Sequence, residues 1–143
     1  MKEYQSLAHT RWDCKYHVVF IPKKRKKRIF GVLRKHLGEI FHELAGHKEA
    51  KIVEGHIMLD HVHMCISIPP KYAVSNVMGY IKGKSAIAIA RRFGGRVKNF
   101  TSEVFWARAY FVSTVGLDEG IVRAYIRNQE HEDERYDQMK LDV

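Results

Sequence analysis

A chain of 143 residues is most economically one domain over residues 1–143, long enough to bury a single sizeable core without disulfides or metal staples. The two cysteines, Cys14 and Cys65, and an N-terminus without the pattern of a signal peptide point to a reduced, cytoplasmic protein, and no apolar run is long enough to cross a bilayer. A net charge of +9 and a pI near 9.6 make a polyanion the first partner to consider, and nucleic acid fits better than a membrane surface because no apolar stripe accompanies the densest charge.

Residues 1–11 carry little pattern. Residues 12–22 alternate, with Cys14, Tyr16, Val18 and Phe20 on one side and Lys15, His17 and Val19 on the other, which predicts a first strand. The cations Lys23, Lys24, Arg25, Lys26, Lys27 and Arg28 follow without a break; their mutual repulsion predicts an exposed arm suited to phosphates. Over residues 30–48 the spacing becomes helical, with Leu33, Leu37, Ile40, Phe41 and Leu44 in one stripe and Gly46 as the stop. Residues 50–59 read as a second strand, turning at Asp60 into a third over residues 60–70, so the two form an antiparallel hairpin.

That third strand carries the chemistry. Val62, Met64, Ile66 and Ile68 form its apolar face, while His61, His63, Cys65 and Ser67 point the other way. Two residues along a strand place Cα atoms roughly 6.5 to 7 Å apart, a span across which two imidazoles converge on one cation. The pair selects no particular metal and needs a third ligand from elsewhere. An isolated His-x-His is more often plain polar surface, so its setting has to carry the argument.

A second helix over residues 74–93 buries Val74, Val77, Met78, Ile81, Ser85, Ala88 and Ile89, and its other face presents Lys82, Lys84, Arg91 and Arg92. Residues 79–85 look like a phosphate loop, but that loop has four residues between its glycines and follows a strand. Here there are three, inside a helix, which excludes a nucleoside triphosphatase. Gly94 and Gly95 end the helix, residues 96–103 form a loop, and residues 104–115 read as the last strand. Trp106, Arg108 and Tyr110 fall on one face of it, with Phe105, Ala107, Ala109 and Phe111 on the other. After a glycine-flanked connection at residues 116–120, a final helix over residues 121–134 stacks Tyr125 and Gln129 on one face, beside an apolar edge of Val122 and Ile126 that would dock on protein.

The order β-α-β-β-α-β with a trailing helix predicts an α+β, ferredoxin-like antiparallel sheet with two helices on one face. With the aliphatic side of the third strand under the helices, His61 and His63 point to the uncovered face.

His61-Val62-His63 on a strand, followed by Tyr125-Ile126-Arg127-Asn128-Gln129 on the last helix, resembles the single-tyrosine transposases of the IS200/IS605 family. Residues 6–12, 60–70, 78–85 and 105–108 extend the likeness over nearly the whole chain. The resemblance implies that His61, His63 and Gln129 bind a divalent metal, Mg or Mn, and that Tyr125, on the C-terminal helix, is the nucleophile. It implies attack on single-stranded DNA to give a 5′-phosphotyrosine and a free 3′-hydroxyl. The covalent link conserves the phosphodiester energy, so rejoining needs no nucleoside triphosphate. The implied substrate is a DNA hairpin near an element end, held by the basic run at residues 23–28 and by Lys82 and Lys84, and the implied assembly is a homodimer.

Two other readings compete. A ferredoxin-like nucleic-acid-binding module without catalysis explains the charge and the fold, but not two histidines, a glutamine and a tyrosine together. A relaxase or rolling-circle nickase would share the chemistry, but usually carries a third strand histidine where this chain has Cys65.

Overall fold

The computed structural model describes residues 5–7, 10–25, 29, 31–93, 105–116, 120, 123, 124 and 126–128. In chain order its elements are β1 (Gln5–Leu7), β2 (Thr10–Trp12), β3 (Lys15–Phe20), a 3₁₀ turn (Lys23–Arg25), α1 (Gly31–His47), β4 (Lys51–Ile57), β5 (Val62–Ser67), α2 (Val74–Phe93) and β6 (Phe111–Val115). β3 to β6 form one sheet in the order β4-β5-β3-β6, with every neighbouring pair antiparallel. β5 thus separates β3 from β4, and β3 separates β5 from β6, each time with a helix as the crossover. This is the split β-α-β topology expected from the sequence.

The expected strand faces supply the core. Val18 and Phe20 of β3 sit beside Met64 and Val62 of β5, all essentially inaccessible, and they meet Leu37, Phe41 and Ala45 of α1 and Val77, Met78, Ile81 and Ile89 of α2. Phe20 packs edge-on against Phe41 and Trp106, with ring centroids 5.6 and 4.8 Å apart. Period-two and helical stripes both close on this layer, so the helices cover one sheet face only.

Several boundaries differ from the sequence reading. β1 and β2 pair antiparallel, with Gln5 opposite Trp12, and Asp13 and Cys14 separate β2 from β3. Strands of three residues are too short to show an alternation. α1 does not stop at Gly46. Glu49 takes the left-handed conformation (φ 55°), and the amides of Glu49 and Ala50 donate to the carbonyls of Gly46 and Ala45, a Schellman cap built on a non-glycine residue.

The predicted last strand is also shorter. Phe105 and Trp106 are both buried, which breaks the alternation, and residues 105–110 make only an isolated bridge, Pro22 to Trp106, before β6 begins. The Trp106 indole N–H donates to the buried Ser85 hydroxyl at 2.9 Å, so α2 holds this segment together with the backbone bonds that Phe105 and Ala107 make to Lys23 and Ile21. No helix among the described residues is long and apolar enough to cross a membrane.

Candidate active site

The sheet face away from the helices is built by register. Directly opposed residues point to the same side, so His63 and Cys65 of β5, His17 and Val19 of β3, and Phe111 and Ser113 of β6 share that face. In β4 the pairing skips Val53: Ile52 opposes Ile66, but Glu54 opposes Cys65 and His56 opposes His63. This bulge shifts the alternation by one residue, and Glu54 and His56 join the histidine face instead of pointing into the core.

The imidazoles form a row. His61 lies in the β4–β5 turn just ahead of β5, where its carbonyl accepts the Met58 amide at 2.8 Å. Its ring stands edge-on to His63, with centroids 4.8 Å apart, and His17 stacks against His63 at 5.6 Å. Phe111 closes the row against His17 at 6.0 Å. Asp60 Oδ1 accepts the His61 Nδ1–H at 2.7 Å, which leaves Nε2 as the lone-pair nitrogen of that ring. Burial first, and then the neighbouring His61, His17 and His56, hold the His63 pKa down to about 4, so at neutral pH it carries a lone pair and no charge. Burial also lowers the pKa of His17.

A carboxylate-oriented imidazole beside a neutral one is a donor set that suits a divalent cation. Among the described residues no group of three or more His, Cys, Asp or Glu side chains is placed to hold a metal, so the pair still requires a ligand of another kind or from another segment.

The face is more covered than the sequence suggests. His61 is 5 % exposed, Ser67 2 % and Cys65 fully buried. Of the C-terminal residues, Gly120, Arg123, Ala124 and Ile126 to Asn128 are helical. The Arg123 guanidinium donates from Nε and Nη2 to Glu54 Oε2, each at 3.3 Å, while Glu54 Oε1 lies 3.5 Å from His56 Nε2. Because Glu54 belongs to the histidine face, Arg123 meets that face at its β4 edge. Ile126 is fully buried, as its place on the predicted apolar edge requires. Tyr125 and Gln129 themselves lie outside the described residues.

The predicted basic residues divide. Lys23 and Lys24 are exposed on the 3₁₀ turn, Lys24 with φ 61°, and Lys84 is exposed on α2. Of Arg25 only the backbone is described, and Lys26, Lys27 and Arg28 lie outside the described residues. Lys82, expected to be a solvated cation, instead donates to the carbonyls of Arg108 (2.8 Å) and Ala109 (3.4 Å) and sits 5.3 Å from the Tyr110 ring centre. The segment before β6 covers it, and burial lowers its pKa. Lys82 is a strut between α2 and that segment.

Sequence reasoning placed His17 on the correct face without giving it a role, although an imidazole among strand residues was a usable signal. Glu54 and His56 carried no such signal, because the bulge that turns them is not written in the alternation.

Residues 10–129 match the family model described as Transposase IS200 like. The transposase for insertion sequence element IS200 from Salmonella typhimurium is 41 % identical over 141 residues, covering 99 % of this chain and 93 % of that protein. The chain belongs to the IS200-like transposase family. This transposase is also 23 % identical over 119 residues to the ISDra2 transposase of Deinococcus radiodurans, covering 82 % of the chain and 85 % of the relative. Among solved structures, a putative transposase from Deinococcus radiodurans superposes with a TM-score of 0.69 at 22 % identity, covering 90 % of this chain and 98 % of that one. A REP-associated tyrosine transposase bound to a REP hairpin superposes with a TM-score of 0.58 at 14 % identity, covering 92 % and 74 %. These two matches carry the fold.

Proposed function

We propose that this transposase cleaves and rejoins single-stranded DNA at insertion-sequence ends through a 5′-phosphotyrosine on Tyr125. The observation that carries the reading is the His61–His63 pair, two imidazoles of which one is oriented by a carboxylate and one held neutral, on the sheet face whose Glu54 binds Arg123, two residues before Tyr125. His61, His63 and Gln129 would hold Mg or Mn. Bound there, such an ion would supply positive charge at the scissile phosphate.

The chain's own residues do the rest. The Tyr125 phenol, with a reference pKa of about 10, loses its proton as its oxygen attacks phosphorus. One P–O bond forms, the bond to the 3′ oxygen breaks, and that oxygen leaves as a hydroxyl once protonated. A 3′-hydroxyl from another strand reverses the same exchange and rejoins DNA with no net change in bonds. The exposed Lys23, Lys24 and Lys84, together with the cations at residues 25–28, position the phosphate backbone without selecting sequence. Lys82 contributes by fixing the Arg108–Ala109 backbone.

A homodimer fits the open sheet edge. β6 is the outermost strand, paired only with β3 among the described residues, and it exposes Phe111 (57 %) and Val112 (40 %). The catalytic reading is tested by incubating the protein with an end-labelled DNA hairpin bearing a single-stranded flank, with Mn or with chelator, on a denaturing gel. A slow, metal-dependent, protease-sensitive species that is absent from Tyr125→Phe supports it. Binding without such a species on any element end returns the protein to the binding-module reading.

A further inference from the structure

We propose that His17 is the positioning residue of His63, doing for that imidazole what Asp60 does for His61; the inference rests on the metal-site reading above. The two imidazoles of the pair are held differently. His61 gives its Nδ1–H to a carboxylate, which fixes the proton on Nδ1 and the lone pair on Nε2. His63 has a second imidazole as its partner. Its Nδ1 lies instead 3.4 Å from His17 Nε2, with the two rings nearly parallel at 15°.

A neutral imidazole has one donor nitrogen and one acceptor, and the partner at one nitrogen decides the other. If His17 Nε2 accepts, His63 carries its proton on Nδ1 and presents Nε2 as a lone pair, in the same sense as His61. If His17 Nε2 donates, His63 keeps a proton on Nε2 and that nitrogen cannot ligate. Ligation through both Nε2 atoms therefore requires His17 to hold its own proton on Nδ1 and to accept at Nε2.

The fold prepares His17 for this. His17 opposes Cys65 in the ladder, so it meets His63 diagonally across the β3–β5 pair, a separation that two rings can span. On its far side the Phe111 ring meets it edge-on at 6.0 Å, giving the imidazole a wall on each side.

The test reads the tautomer directly. Long-range ¹H–¹⁵N spectra of metal-free protein report which nitrogen of His63 carries the proton. The expected result is Nδ1–H in the wild type and a shift toward Nε2–H in His17→Phe, which keeps a ring but removes the acceptor. Calorimetric titration with Mn is expected to show affinity reduced about 10- to 100-fold in His17→Phe, the usual cost of removing an outer-shell partner, and a smaller loss in His17→Gln, whose amide oxygen accepts. A His63 proton on Nε2 in the wild type overturns the inference, as does a His17→Phe protein with unchanged tautomer and Mn affinity. The wild-type spectrum requires no variant to fold. Should wild type and His61→Ala bind Mn equally, the metal-site reading fails, whereas the tautomer result still decides for or against His17.

Discussion

The contact between Arg123 and Glu54 fastens the C-terminal helical residues to the histidine face, and its removal has a calculable effect. Both guanidinium hydrogen bonds end on the same carboxylate oxygen at 3.3 Å, long for charged partners, and the Arg123 side chain is 38 % exposed against 17 % for Glu54. A well-made charged hydrogen bond is worth roughly 1.5–3 kcal/mol and an exposed ion pair about 0.2–1 kcal/mol, so this contact belongs near about 1 kcal/mol. Arg123→Ala removes it without weakening helix propensity, because alanine is the better helix former. With RT of about 0.59 kcal/mol, the loss multiplies the undocked population about fivefold. Amide hydrogen exchange is the assay. The amides of Ala124 and Ile126 should exchange about five times faster in the variant, while those of β3 and β5 stay unchanged. The combined Arg123→Ala and Glu54→Ala protein should lose little more than either single change, and raised salt should shrink the difference. Unchanged exchange at Ala124 and Ile126 would refute the anchoring.

Other outcomes follow from the same contacts. Ser85→Ala leaves the buried Trp106 indole N–H without its acceptor and should cost about 1–3 kcal/mol in urea unfolding, with no loss of helix content. Glu49→Gly relieves the left-handed cap of α1 and should raise stability by about 0.5–1 kcal/mol, less whatever the exposed Lys71 ion pair contributes. The folded-state pKa of His63, about 4, lies below its ordinary value of 6.5, so between those values the unfolded chain binds more protons. The contribution of His63 to stability is therefore intact above pH 6.5 and lost as pH falls toward 4. Its replacement by Asn should flatten the unfolding midpoint over that window, with His17 still contributing a slope of the same sign.

Much of this architecture was legible because burial obeys simple periods. The stripe Val77, Met78, Ile81, Ser85 and Ile89 predicted both α2 and its buried side, and the alternation of residues 62–68 predicted which face of β5 enters the core. The histidine pair was legible for the same reason. What escaped depends on relations between segments. Val53 interrupts the β4 register, and only that interruption turns Glu54 and His56 toward His63. Lys82 reads as a surface cation until the Arg108–Ala109 backbone is laid over it. Cys65 and Ser67 read as open-face residues, yet both are buried.

The central claim is that Tyr125 becomes covalently joined to the 5′ side of a cleaved strand with the help of His61 and His63. Its most direct test is peptide mapping by mass spectrometry of the species formed with a single-stranded element end in Mn. The account predicts a nucleotide 5′-phosphate on the peptide containing Tyr125, formed in wild type and strongly reduced in His61→Ala and His63→Ala. A phosphate linked to another residue, or an adduct formed equally well without either histidine, would contradict it.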